Sequence, residues 1–323
     1  MGPVHATRPA MLLDLVFLAA GLVALVFAGD KLVAGAVALA SRLRISPLVI
    51  GLTIVAFGTS APELFISLQA AWGGQPGLAI GNVVGSNVAN VLLVLGAPAL
   101  ISAIDCHESG IGKSNIAMIA FTAVFMAMLA SGGVLGRGEA FVLFAGLCAF
   151  LVLQWFAARR DQGLAEGFVE EATGDELSNR AIAVALLVGI VGLPLGAQLT
   201  INGATGIATV FGISDAVIGL TVVAIGTSLP ELITSVMAAV RRSNEVAIGN
   251  VVGSNIFNIG AIMGITGMVL PLEVPAQVVS LDMWVMLAAT LLLVGLATFR
   301  VTLGRVAGAA MLAVYVAYLV ALY

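Results

Sequence analysis

Glu63 and Glu231 are the residues of this chain best suited to chemistry, because each stands in an apolar run behind the same polar neighbours: GTSAPE at 58–63 and GTSLPE at 226–231. On insertion scales an acidic side chain at the centre of a membrane-spanning helix costs about 2.5–3.5 kcal/mol. Two of them at equivalent depth need a cation or protons to offset their charge. Thr59 and Ser60 lie four and three residues before Glu63 and share its face while helicity persists, and Thr227 and Ser228 stand likewise to Glu231. Proline lacks an amide proton and crowds the carbonyl one turn earlier. Pro62 and Pro230 should therefore free main-chain oxygens near Ala56–Thr59 and Ala224–Thr227, with Gly58 and Gly226 easing the unwinding. At membrane depth such a break survives only where protein or a polar cavity satisfies it.

A second polar segment, GNVVGSN followed three residues later by another Asn, occurs at 81–90 and again at 249–258. Ser86 and Asn90 are four apart on one helix face, as are Ser254 and Asn258. Gly81, Gly85, Gly249 and Gly253 are spaced to let a neighbouring helix approach closely. Together the segments predict a broken helix packed on a glycine-faced helix, twice, enclosing a cage of carboxylate, hydroxyl, amide and carbonyl oxygens. That donor set is hard and contains no His or Cys, which favours Na⁺ or Ca²⁺ over zinc or copper. Two carboxylates balance one divalent ion or two monovalent ones, so competition between Ca²⁺ and Na⁺ for one cage is a physical basis for exchange. Hydrogen bonding between helices would account for any single Ser or Asn, but not for the duplicated glutamates.

Both segments belong to a longer repeat. Residues 45–96 recur at 213–264, displaced by 168, with 29 identities in 52 positions and no gap. The elements that carry them must be membrane helices: 61% of the 323 residues are hydrophobic and 9% charged, with a mean hydropathy of +1.15, whereas a soluble domain carries roughly 25% charged residues. A span needs about 20 apolar residues. Ten spans are expected, at 12–40, 45–71, 78–102, 114–132, 138–158, 181–208, 213–240, 246–269, 280–299 and 306–323. The first, second, sixth and seventh are long enough to be tilted or broken. Five spans separate equivalent points of the repeat, so the second copy enters from the opposite side. The expected fold is thus an all-α integral membrane protein of ten transmembrane helices, arranged as two inverted-topology five-helix repeats. The halves are 1–158 and 181–323, joined by an acidic connector at 159–180.

Orientation follows from the basic residues of the loops. One set of alternate loops holds Arg42, Arg44, Lys113, Arg159, Arg160, Arg180, Arg241, Arg242, Arg300 and Arg305; the other holds Arg8 and Arg137. Both termini should lie outside and the 159–180 loop in the cytoplasm, in a plasma membrane. The first apolar run is too long for a signal-peptide core and is expected to be retained.

The paired GTSxPE and GNxxGSNxxN segments, inverted within ten spans, resemble the α-repeats of the sodium/calcium exchanger branch of the Ca²⁺/cation antiporter superfamily. The likeness is dense over both 52-residue copies and extends weakly to GDKLVAGA (29–36) against AQLTINGA (197–204). It implies alternating access, with Ca²⁺ extruded against entry of several Na⁺ and no prosthetic group. It also implies Ca²⁺ ligation by Glu63 and Glu231, with Ala56, Thr59, Ser60, Ala224, Thr227 and Ser228 contributing to Na⁺ sites, and Ser86, Asn90, Ser254 and Asn258 completing the set. Some members, including potassium-dependent ones, carry an aspartate where this chain has Asn258. The proton-coupled branch places its acids in a GNxxE-type segment, and the residues after Gly81-Asn82 and Gly249-Asn250 include no such Glu. H⁺/Ca²⁺ antiport remains the alternative, because protons should compete for two neighbouring carboxylates whatever the coupling ion.

Other features carry less. Asp30 and Lys31 are adjacent and share no face, Asp215 opens the seventh span, and His107-Glu108 has no ligand partners in sequence. Cys106 and Cys148 match no metal or disulfide spacing. The two histidines, His5 and His107, are far from Ser60 and Ser228, so no base is available to make either serine a nucleophile, and an enzyme is not expected. No basic patch points to nucleic acid; the expected partners are lipid, Na⁺ and Ca²⁺, and the oligomeric state is open. A channel could use the same ligands, but weak sites along an open pore fit less well than one enclosed cage.

Overall fold

The computed structural model describes residues 8–106, 110–160, 177–212 and 224–322. It is 85% helix. Among the described residues seven helices are long and apolar enough to cross a membrane, eight if the bent pair Pro47–Thr59 and Ala61–Trp72 is one span. The longer helices are α1 (Arg8–Leu43), α2 (Ala61–Trp72), α3 (Pro76–Leu92), α4 (Ile111–Gly132), α5 (Arg137–Arg160), α6 (Asn179–Val210), α7 (Leu229–Val240), α8 (Asn244–Phe257), α9 (Met283–Thr298) and α10 (Arg305–Ala321). The expected long first and sixth spans run as unbroken helices of 36 and 32 residues. Pro194 sits inside α6 without interrupting it, as membrane helices tolerate.

Polarity is arranged inside out. Val23 and Ile116 are each 70% exposed and Leu153 67%, while Glu63, Glu231, Asn90, Asn255 and Asn258 are buried. An exterior this apolar around a buried polar interior is the arrangement expected of a membrane protein.

Two apolar cores hold the molecule together. The larger collects α3, α4, α8 and α9 with their flanking turns, around Val83, Val88, Met118, Phe125, Ile256 and Met286. The smaller joins α1 and α6 to the helix before Ser60, through Leu25, Leu32, Leu193, Ala197, Ile50 and Val55. Small residues set the α1–α6 separation. A Cβ on Gly196 would meet Leu25 at 3.0 Å and one on Gly192 would meet Ala28 at 2.8 Å. At the end of α7, Arg241 donates from Nε to Asp30 Oδ1 at 2.8 Å, tying α1 to α7. Lys31 lies 5.4 Å from the centre of the Phe27 ring.

The 168-residue displacement reaches well past the 52-residue repeat. Two short antiparallel pairs close the loops: β1 (Ile104–Asp105) with β4 (Thr302–Leu303), and β2 (Val134–Leu135) with β3 (Leu272–Glu273). Ile104 pairs with Leu303 and Leu135 with Leu272, and displacement by 168 turns the first pair into the second. Thr122 and Thr290, also 168 apart, lie 3.5 Å from each other. Reciprocal pairing of this kind is what a two-fold relation produces. These strands were not expected from hydropathy, since two-residue pairs leave no periodic signal.

Cys106 is buried, Cys148 is exposed, and no disulfide joins them. Asp215, His107, Glu108, most of the acidic connector and the start of the expected seventh span lie outside the described residues.

Candidate functional site

Ser46 begins the approach to the site: its Oγ accepts from Leu48 N at 3.1 Å, and Pro47 follows at the first helical position, where proline's missing donor costs nothing. The helix widens to a π-type turn over Gly51–Val55 and stops at Ser60 (φ −84°, ψ 5°). It resumes as α2 with a 42° bend. Ser228 breaks the second copy at φ −85°, ψ 4°. Wide turns of this type recur at functional sites because they misalign the helical ladder.

The break therefore differs in detail from the sequence expectation. Pro62 and Pro230 sit in the first turns of α2 and α7 and act as helix starters after the break. The Ala56 carbonyl already accepts from Ser60 N at 3.0 Å, which leaves one lone pair available. Ala224 opens the short helix Ala224–Thr227. Gly58 and Gly226 serve packing as well as unwinding. A Cβ on Gly58 would lie 2.8 Å from Ile190 Cγ1, and one on Gly226 would overlap Ile201. Both motif glycines thus press against α6.

Gly249 and Gly253 do what their spacing predicts. Added Cβ atoms would lie 2.7 Å from the Leu48 carbonyl oxygen and 2.6 Å from that of Leu52. The partner expected for Gly81 and Gly85 lies outside the described residues.

This close approach brings the two copies into contact. Ser60 Oγ donates to Glu231 Oε1 at 3.1 Å. Thr59 Oγ1 lies 3.1 Å from Asn250 Oδ1, 3.3 Å from the Ala56 carbonyl and 3.4 Å from Ser254 Oγ; with one proton, it donates to one of them. Asn250 Nδ2 donates to the Glu231 carbonyl at 3.3 Å and Ser235 Oγ at 3.2 Å. Asn82 repeats this with the Glu63 carbonyl at 3.4 Å and Ser67 Oγ at 3.0 Å. Thr227, Ser228 and Ser86 are buried in the same region of the repeat.

Four asparagines form the other wall. Asn90 Nδ2 donates to Asn255 Oδ1 at 3.1 Å, and Asn258 Nδ2 to Asn87 Oδ1 at 2.9 Å. Asn87 Nδ2 lies 3.7 Å from Met286 Sδ and Asn255 Nδ2 3.6 Å from Met118 Sδ. Immediately beyond, the spans lose regular helix again, through a wide turn at Asn258–Met263 and an irregular stretch at 93–95.

Buried oxygens without a hydrogen-bond partner include Glu63 Oε2, Glu231 Oε2, Asn90 Oδ1 and Asn258 Oδ1. A buried unsatisfied acceptor costs about 1–3 kcal/mol, and more when charged. These four oxygens form two pairs related by the 168-residue displacement. Among the described residues no group of three or more His, Cys, Asp or Glu side chains could hold a metal. The buried donors at this place are two carboxylates and neutral oxygens, a hard set of the kind that suits Na⁺ or Ca²⁺.

The model of the family described as sodium/calcium exchanger protein matches residues 13–156 and 181–323. The chain belongs to the sodium/calcium exchanger family. CaxA of Alkalimonas amylolytica is 39% identical over 95% of this chain and 98% of its own. The sodium/calcium exchanger MaX1 of Methanosarcina acetivorans is 32% identical over 94% of this chain and 96% of its own. A solved structure of the sodium-calcium exchanger NCX_Mj, soaked with 2.5 mM Na⁺ and 0.1 mM Ca²⁺, superposes with a TM-score of 0.82 at 31% identity, covering 97% and 99% of the two chains. The protein is a multi-pass membrane protein of a transporter family.

Asn82/Asn250 and Asn87/Asn255 lie within the repeated GNVVGSN segment, where sequence reasoning gave them no role, and it missed Ser67/Ser235. Identity between copies was the available signal for the serines. Met118 and Met286 lie outside the 52-residue copies, and only the 168-residue spacing marks them.

Proposed function

We propose that this chain is a secondary active antiporter that exchanges Na⁺ for Ca²⁺ by alternating access. The observation that carries the reading is the set of buried, unpartnered oxygens on Glu63, Glu231, Asn90 and Asn258, contributed by both copies of one repeat. Glu63 and Glu231 supply the charge for Ca²⁺. Thr59, Ser60, Thr227, Ser228, Ser86, Ser254 and the Ala56 and Ala224 carbonyls supply the neutral oxygens among which Na⁺ and Ca²⁺ compete. Family membership and the likeness to proteins named sodium/calcium exchangers support this assignment of ions.

In this reading the ten spans form two inverted halves, 1–158 and 181–323, joined by a cytoplasmic connector, with both termini outside a plasma membrane. The reciprocal strand and Thr122–Thr290 pairings support the inversion. Each strand pair also joins two loops that the basic-residue count assigns to the same side, the β1–β4 pair to the basic side and the β2–β3 pair to the other. The α1–α6 pair, with its own apolar cluster and small-residue interface, is the unit that moves against the ion-binding core. Cross-links fixing α1 and α6 to that core without slowing transport would count against it.

The test is ⁴⁵Ca²⁺ uptake into proteoliposomes loaded with Na⁺ and diluted into Na⁺-free choline medium, with K⁺-loaded and acid-loaded vesicles alongside. Uptake requiring the outward Na⁺ gradient is expected. Uptake driven by the proton gradient would assign the chain to H⁺/Ca²⁺ antiport, and flux independent of any gradient would mean a channel.

A further inference from the structure

Asn90 and Asn258 each present an oxygen with no partner, although an amide can equally turn its NH₂ toward the same space. What fixes the choice is the residue behind each. Asn90 Nδ2 is held by Asn255 Oδ1 at 3.1 Å and Asn258 Nδ2 by Asn87 Oδ1 at 2.9 Å. Those amides are oriented in turn. Asn87 Nδ2 lies 3.4 Å from the Asn255 carbonyl and 3.7 Å from Met286 Sδ, and Asn255 Nδ2 lies 3.6 Å from Met118 Sδ. A thioether sulfur accepts but cannot donate. It therefore favours the flip that turns the Asn87 or Asn255 oxygen toward Asn258 or Asn90. All four asparagines are buried, and a wrong flip would set their polar atoms like against like, at the cost of a lost buried hydrogen bond.

We propose that Asn87 and Asn255 are positioning residues that lock the Asn258 and Asn90 amides oxygen-first toward the transported cation. Met286 and Met118 stand behind them as acceptors. This rests on the exchange reading above. The consequence is affinity: an amide free to rotate presents a donor to the site for part of the time, and a donor repels any cation. The arrangement crosses between the halves, each copy orienting a ligand of the other.

The experiment compares Asn255→Leu in the wild-type chain and in an Asn90→Asp background, where whichever side-chain atom turns toward the site is an oxygen, so orientation no longer matters. Proteoliposome exchange gives KM for Ca²⁺ and the maximal rate separately. In the wild-type background Asn255→Leu should raise KM for Ca²⁺ about tenfold, the scale of one buried hydrogen bond, with a smaller change in maximal rate. In the Asn90→Asp background the same substitution should shift KM by less than about twofold on that scale. Equal shifts in both backgrounds would overturn the proposal, since a merely structural asparagine would be missed equally in each. Should Asn255→Leu not fold, Asn87→Leu compared with and without Asn258→Asp makes the mirror-image test. Glu63→Gln separates the two failures: Ca²⁺ exchange that survives it refutes the site itself, whereas loss there with equal shifts above refutes only the positioning role.

Discussion

Ser60 and Glu231 come from different copies of the repeat, yet one hydrogen bond of 3.1 Å joins them. At the residue scale, in the proposed exchanger, the glutamates carry the charge and their neighbours tune it. Glu63→Gln and Glu231→Gln keep the shape and an acceptor oxygen but remove the anion. Each should abolish ⁴⁵Ca²⁺ exchange in proteoliposomes while the purified protein stays monodisperse. Retained Ca²⁺ affinity in both single variants would sink the site assignment. Ser60→Ala removes the donor on Glu231 Oε1, and a hydrogen bond to a charged group is worth about 1.5–3 kcal/mol. The unpartnered acceptor then serves Ca²⁺ less well, so KM for Ca²⁺ should rise by about ten- to a hundredfold at neutral pH on that scale. An unchanged KM in the same exchange assay would mean that Ser60 does not act on the carboxylate.

At the scale of elements, glycines decide how near the helices come. A Cβ on Gly253 would lie 2.6 Å from the Leu52 carbonyl oxygen and 2.7 Å from Ala56 Cβ, whereas Gly295 faces open space within 4 Å. Overpacking costs about 1–3 kcal/mol. Gly253→Ala should therefore lower the melting temperature in detergent by several degrees and weaken Ca²⁺ binding, because it displaces the helix carrying Thr59 and Ser60. Gly295→Ala should leave both unchanged. Equal melting temperatures for the two variants would show that the helix before Ser60 does not need the Gly253 groove. The sequence made the pairs at Gly249 and Gly253 legible through their spacing. It could not reveal that Gly58 and Gly226 lie against Ile190 and Ile201, because α6 meets them from more than 100 residues away in one case and from within the same half in the other.

For the whole molecule, the two strand pairs set loop against loop on each side. Cys labelling tests the arrangement directly in a chain with Cys106→Ala and Cys148→Ala. Gly304→Cys, beside β4, should react with a membrane-impermeant maleimide only from the cytoplasmic side. Gly136→Cys, beside β2, should react only from outside. Labelling of both from one side would overturn the inverted topology. The Asp30–Arg241 pair, at 39% and 29% side-chain exposure for Arg241 and Asp30, joins the proposed moving helix to the core at the basic rim. Exposed pairs of this kind contribute about 0–1 kcal/mol, so it can break and re-form as α1 moves without a large barrier.

Much of the candidate site was legible in the primary sequence because membrane insertion penalises polar side chains so heavily that each one kept in an apolar run needs a reason. Duplication made those reasons stand out: Glu63/Glu231, Asn90/Asn258 and the Ser and Thr around them could be read with no coordinates at all. Composition and span length likewise determined a helical membrane protein. What only the tertiary structure decided is which atoms meet. Hydropathy gives a helix's period but not its rotation about a neighbour or the flip of an amide. The Ser60–Glu231 bond, the crossed asparagine pairs with Met118 and Met286 behind them, and the wide turn after Phe257 therefore emerge from packing. Hydrogen bonds and close contacts depend on tenths of an ångström in three dimensions, and a one-dimensional spacing fixes distance only along its own helix.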